Sequence, residues 1–183
     1  IASMKKEGEE VSGDRGTYFK TDAGLLCVIL SDGMGTGEAA AEESRISVEI
    51  LEELLKAGME PSCAMRLLNA AAMLRNGEEW GYATVDLCCI DLFTGETTFY
   101  KYGAAPSFVK TGRAIRRIRG VSLAAGMLAG ADAAPDRIRV RLRPGNVALI
   151  ASDGVLAEKQ DQWLRDILAA SEQSRPITSS TSF

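Results

Sequence analysis

Histidine is absent from all 183 residues. That gap removes histidine-based nucleophile triads, histidine-ligated zinc and phosphohistidine chemistry together. Positive charge is in deficit, with 21 Lys and Arg against 25 Asp and Glu, for a net charge of −4. Aromatic residues make up only 6% and do not interleave with the arginines. Nucleic-acid binding and bulk attraction to anionic membranes are therefore not expected. No apolar run approaches the ~20 residues of a membrane span. No charged segment leads into an apolar one, so no secretory signal is read. The chain begins at Ile1 rather than Met, which suggests a piece of a longer polypeptide.

Cysteine is scarce and unpatterned. Cys27, Cys63, Cys88 and Cys89 have no C-x-x-C spacing, and none has an arginine six places on, which excludes a thiolate phosphatase loop. Cys27, Cys88 and Cys89 lie in apolar runs and are expected as reduced core thiols in the cytoplasm. Gly-Lys-Ser/Thr is missing, so there is no Walker loop. The glycines after Asp32 are spaced G-x-G-x-G rather than G-x-G-x-x-G, and Asp32 would repel a pyrophosphate, so a dinucleotide fold is excluded too.

What is present is a globular composition, 46% hydrophobic and 25% charged, in a chain long enough for one domain with a real core. Leu25–Leu30 is a continuous apolar run, suited to a strand buried on both faces. Glu38–Ala57 reads as a helix, with Ile46, Ile50 and Leu54 in one row and Gly58 just past its end. Pro61 opens a second helix with Ala64, Leu67, Leu68 and Ala71 on its apolar face. Met65 and Met73 are expected partly exposed there. From Tyr82 the period becomes that of strands, with three hairpins expected. The first turns at Thr94-Gly95, the second is PSFVKTGRAIRRI, and the third turns at Pro144-Gly145-Asn146. A last helix is expected over Asp161–Ala170, with Trp163, Ile167 and Leu168 apolar. The fold class is thus α+β, a β-sandwich of mostly antiparallel strands flanked by helices. One domain over residues 1–170 is expected, with residues 171–183 as a polar, disordered tail.

The chemistry lies in a short repeat. CVILSDGMG at Cys27–Gly35 and ALIASDGV at Ala148–Val155 both run an apolar strand into Ser-Asp-Gly. Asp32 and Asp153 are expected at matching points beyond a strand end, each with a glycine that lets the backbone turn and a ligand approach. A third acid, Asp14, stands in SGDRG. Carboxylates gathered without histidine or thiolate make a hard oxygen site, suited to Mg²⁺ or Mn²⁺. Two stripes of arginine, Arg137 to Arg143 and Arg113 to Arg119, are expected as solvated strand faces. Thr84 and Asp86 are expected to hold the sheet together rather than react, and Trp80 to plug a core or an interface.

SGD at Ser12–Asp14, SDGMGTG at Ser31–Gly37, ATVDLCCIDLFTGE, KYGAAPSF and RPGNVALIASDGV together resemble one family. It is the PP2C-like, metal-dependent serine/threonine protein phosphatases, in the branch of the stage II sporulation protein E phosphatase domain. The likeness runs from about Val11 to Glu158. It implies two divalent cations between the sheets, with Asp32 bridging them, the Gly33 carbonyl and Asp153 as further ligands, and Asp14 acting largely through water. Asp32 and Asp153 are then the catalytic residues. It also implies hydrolysis of phosphoserine or phosphothreonine on a bacterial regulatory protein of the anti-anti-sigma-factor type, in sporulation and sigma-factor control, by a domain that could form a homodimer. A membrane-anchored parent protein is compatible with this. The family's closing aspartate has no match after Gly154, and Asp161 and Asp166 are not assigned its role. The alternative is a non-catalytic interaction domain that keeps the fold.

Overall fold

The computed structural model describes residues 12–35, 37–75, 82–127, 133–154 and 162–170. Trp80, Asp161 and the tail at 171–183 lie outside the described residues. Eleven elements follow in order: β1 (Asp14–Lys20), β2 (Leu25–Gly33), α1 (Gly37–Lys56), α2 (Pro61–Arg75), β3 (Ala83–Asp91), β4 (Glu96–Tyr102), β5 (Ser107–Thr111), β6 (Ala114–Ile118), β7 (Asp136–Arg141), β8 (Val147–Leu149) and α3 (Gln162–Ala170). They form one five-stranded sheet, β1-β2-β3-β4-β7, and one three-stranded sheet, β6-β5-β8. All the ladders are antiparallel.

Strand alternation sorts the side chains into layers. On one face of the larger sheet Cys27, Ile29, Val85, Leu87 and Tyr100 pack against Val48, Leu51 and Leu55 of α1 and Ala64, Met65 and Leu68 of α2. On the other face Cys88 and Phe99 meet Val109 of β5 and Ile118 of β6, which is the inter-sheet core. Beyond the smaller sheet, Phe108 packs with Leu164 and Leu168 of α3. The result is four layers, helices–sheet–sheet–helix, as an α+β sandwich requires.

Local signals placed these elements well. Gly58, at φ 84°, closes α1 with Met59 N–H donating to Leu54 O at 3.0 Å and Gly58 N–H to Leu55 O at 3.1 Å. Glu60 caps α2 by accepting the Cys63 N–H at 2.9 Å. The Asp91 carboxylate accepts the Phe93 and Thr94 N–H groups in the β3–β4 turn. Cys27, Cys88 and Cys89 are buried free thiols, as expected, and Cys63 is exposed.

Other expectations are corrected. The third hairpin does not form. β7 pairs with β4 and β8 with β5, so the Pro144–Asn146 turn carries the chain from one sheet to the other. The buried face of α2 is Ala64, Met65, Leu68, Asn69 and Ala72. Leu67 is exposed and Met65 wholly enclosed, because α2 leans on α1 and the sheet with a face turned by about one residue. On α3 it is Leu164 and Leu168 that are buried, while Trp163 and Ile167 face outward.

Candidate metal centre

The first ladder brings two of the acids together. β1 and β2 pair so that Asp14 stands opposite Asp32, with Thr17 opposite Ile29 further along the same register. Asp32 is next to last in β2, and the next ladder sets it opposite Thr84 of β3. Asp153 arrives from another direction, in the turn that follows β8. It lines one small cleft together with Asp32, Thr84, Asp86 and Ser152, and the room there is ≈ 30 Å³. That is enough to hold at least one water molecule.

Electrostatics mark the cleft. Burial, then the charges of Asp14 and Asp153, then hydrogen bonds with both, hold the Asp32 carboxyl up at about 7. Three acids from three segments are thus pressed close with no cation among the residues lining the cleft. Among the described residues, no three His, Cys, Asp or Glu side chains are grouped so as to hold a metal ion by themselves. The donor set is hard oxygen throughout, and its charge is uncompensated, so it fits a divalent cation.

The two Ser-Asp-Gly copies are less alike than the sequence suggests. Ser31 Oγ donates to Thr84 O at 2.9 Å and ties β2 to β3. Ser152 Oγ instead donates to Asp14 Oδ2 at 2.7 Å, fixing the third acid. Nor do the glycines take a left-handed backbone. Neither Gly33 nor Gly154 has positive φ, and the sharp backbone falls at Gly35 and Gly37, at 111° and 73°. Gly33 is required for another reason. A Cβ there would lie 1.9 Å from the carbonyl oxygen of Ala40, so the first turns of α1 pack directly on the strand end. Gly33 N–H donates to Gly13 O at 3.2 Å and Met34 N–H to Tyr82 O at 2.7 Å, which pins the loop that carries Asp32.

Of the residues expected from sequence, Asp14, Asp32 and Asp153 come together, with Gly33 beside Asp32. Asp166 lies away from them on α3, where its Oδ1 accepts from Gln162 Nε2 at 2.8 Å. Asp86 also lines the cleft, and sequence reasoning had given it only a structural part. A signal was available. Counting outward from the Leu92–Gly95 turn places Asp86 opposite Lys101, two opposite charges on the inner faces of paired strands.

Comparison with known proteins identifies the family and the fold. A family model described as Stage II sporulation protein E (SpoIIE) matches residues 22–180. The Stage II sporulation protein E of Priestia megaterium is 31% identical over 170 residues, 90% of this chain and 28% of that protein. Its counterpart in Bacillus subtilis (strain 168) is 31% identical over 169 residues, 90% of this chain and 20% of that protein. The chain therefore spans under a third of these curated relatives. A solved structure of the PP2C phosphatase domain and a fragment of the regulatory domain of SpoIIE from Bacillus subtilis is 29% identical, with a TM-score of 0.79 over 90% of this chain and 48% of that one. RsbX in complex with magnesium shares the fold at 19% identity, with a TM-score of 0.74 over 93% of this chain and 78% of that one. With this match running through both sheets and all three helices, the chain belongs to the Stage II sporulation protein E family and has the PP2C fold.

Proposed function

We propose that this domain, over residues 1–170, is a divalent-metal-dependent phosphatase acting on phosphoserine or phosphothreonine of a bacterial regulatory protein. The convergence of Asp14 and Asp153 on Asp32, beside a cleft that Asp32 and Asp153 line with no cationic side chain, carries the reading. Asp32 and Asp153 are its direct ligands, the Gly33 carbonyl stands beside them, and Asp14 acts through water. Mn²⁺ or Mg²⁺ bound there would make hydroxide available near neutral pH and polarise the phosphoryl oxygens. The chain's own part is to hold these acids in place. The β1–β2 register sets Asp14 against Asp32, Ser152 fixes the Asp14 carboxylate, and the packing of α1 on Gly33 keeps the loop from shifting. No cysteine is needed, which suits three thiols shut in the core.

The substrate reading, a phosphorylated protein of the anti-anti-sigma-factor type, rests on the family resemblance. So does a cytoplasmic site of action. Among the described residues no helix is long and apolar enough to cross a membrane. Phosphate release from a phosphoserine protein with Mn²⁺ tests the activity. Asp153→Asn should abolish turnover, and alkylation of Cys63 should spare it; the reverse pattern refutes the metal mechanism. Mn²⁺ binding without any phosphate release, across phosphoserine and phosphothreonine proteins, would favour the non-catalytic interaction domain.

A further inference from the structure

Asp86 sits in the middle of an apolar strand, TVDLCCI, with its side chain 2% exposed. Its partner Lys101, directly opposite on β4, is wholly buried. The Lys101 ammonium donates to Asp86 Oδ2, to Ala105 O at 2.8 Å and to Ser107 Oγ at 2.9 Å. Those three bonds use all of its protons. Ser107 Oγ–H, from the other sheet, donates to the same Asp86 Oδ2. One carboxylate oxygen therefore carries two partners. The other, Oδ1, is buried and has no hydrogen-bond partner among the described residues. A buried acceptor left unmade is costly, and a native structure rarely tolerates one without a use. Asp86 lines the same cleft as Asp32, Thr84 and Asp153.

We propose that Asp86 is a positioning residue of the centre, its free Oδ1 accepting a hydrogen bond from a water held by the divalent cation at Asp32 and Asp153. The inference rests on the metal reading above. Lys101 and Ser107 clamp Oδ2 and so fix the rotation of the carboxylate. Direct ligation by Asp86 is disfavoured because Lys101 already brings a positive charge to the same carboxylate, and a second cation in contact with it would be repelled. A water between the two spreads that repulsion and satisfies Oδ1. Lys101 also grips the Ala105 carbonyl, so the clamp holds one wall of the cleft as well as its acceptor.

The test is calorimetry with Mn²⁺ on the parent, Asp32→Asn, Asp86→Asn and Ser107→Ala, well below each melting temperature. Asp86→Asn keeps the volume and, with its amide oxygen held by Lys101, puts an N–H donor where the Oδ1 acceptor was. It should bind Mn²⁺ about 10- to 100-fold more weakly than the parent, as loss of an outer partner does. Parent-like affinity in Asp86→Asn, beside lost binding in Asp32→Asn, overturns the inference while sparing the metal site. Binding abolished as completely as in Asp32→Asn makes Asp86 a direct ligand and overturns it too. Equal binding by the parent and Asp32→Asn sinks the metal reading instead. If Asp86→Asn does not fold, Ser107→Ala decides. It leaves the ion pair and loosens the clamp, so a roughly threefold weakening supports the inference and unchanged affinity overturns it.

Discussion

Asp32 and Asp86 stand on neighbouring strands, face the same inter-sheet space and line the same cleft, yet they have opposite company. Burial pushes both carboxyls up. Around Asp32 the charges of Asp14 and Asp153 push further the same way. Around Asp86, Lys101 and Ser107 pull back against the burial. Lys101 in turn is pushed down by burial and drawn up by Asp86. One acid thus has its counter-charge built into the chain, and the other lacks one. The difference separates a part whose charge is balanced within the fold from a part whose charge, on the proposed reading, a cation would balance.

The contrast breaks hardest at Lys101. Lys101→Met strands a buried carboxylate and should cost ~3–5 kcal/mol of stability in urea unfolding. Without Lys101 only Ser107 opposes the burial of Asp86, and the folded-state value rises further above the unfolded one. Stability linked to such a group is fully present at low pH and is lost as pH rises through the folded value. The deficit against the parent should therefore be larger at pH 8 than at pH 5. A pH-independent deficit would show that Lys101 matters through packing alone.

Gly33→Ala probes the wall beside Asp32. Its Cβ must displace the Ala40 carbonyl, so a loss of ~1–3 kcal/mol in thermal unfolding is expected, with weaker Mn²⁺ binding as the loop shifts. Asp32→Asn should act with the opposite sign. In metal-free buffer it removes one of three neighbouring like charges and should raise the melting temperature slightly. With Mn²⁺ present the parent should gain stability and the variant should not. A lower metal-free melting temperature in Asp32→Asn would mean that the trio is not under repulsion. Ser152→Ala should have the smallest effect, ~1 kcal/mol or less in stability, with weaker Mn²⁺ binding because Asp14 is no longer held.

Helix ends and most strands were legible because their signals are local. Gly58 stops a helix and Asp91 closes a turn wherever they occur. The failures share one cause. VALIAS follows RIRVRLR across a Pro-Gly-Asn turn as a hairpin partner would, but pairing is set by which sheet has a free edge, and β7 took β4 while β8 took β5. On α2 and α3, apolar residues outnumber the positions that packing can cover, so periodicity alone could not choose Met65 over Leu67 or Leu164 over Trp163.

The sequence by itself narrowed the chemistry. Without histidine, with cysteines in apolar runs and with Asp32, Asp153 and Asp14 set beside glycines, it pointed to a hard-oxygen site. It also determined the strands and helices that carry those acids, since hydrophobic period and turn residues act over short range. Tertiary structure alone decided the company each acid keeps. Asp14 meets Asp32 through the β1–β2 register, and Asp153 reaches them only because the chain changes sheets after β7. Asp86, hidden in an apolar run, became part of the cleft because the β3–β4 register set it against Lys101 and the opposing sheet set Ser107 over both. Charge acts across space rather than along the chain, and only the folded packing sets those distances.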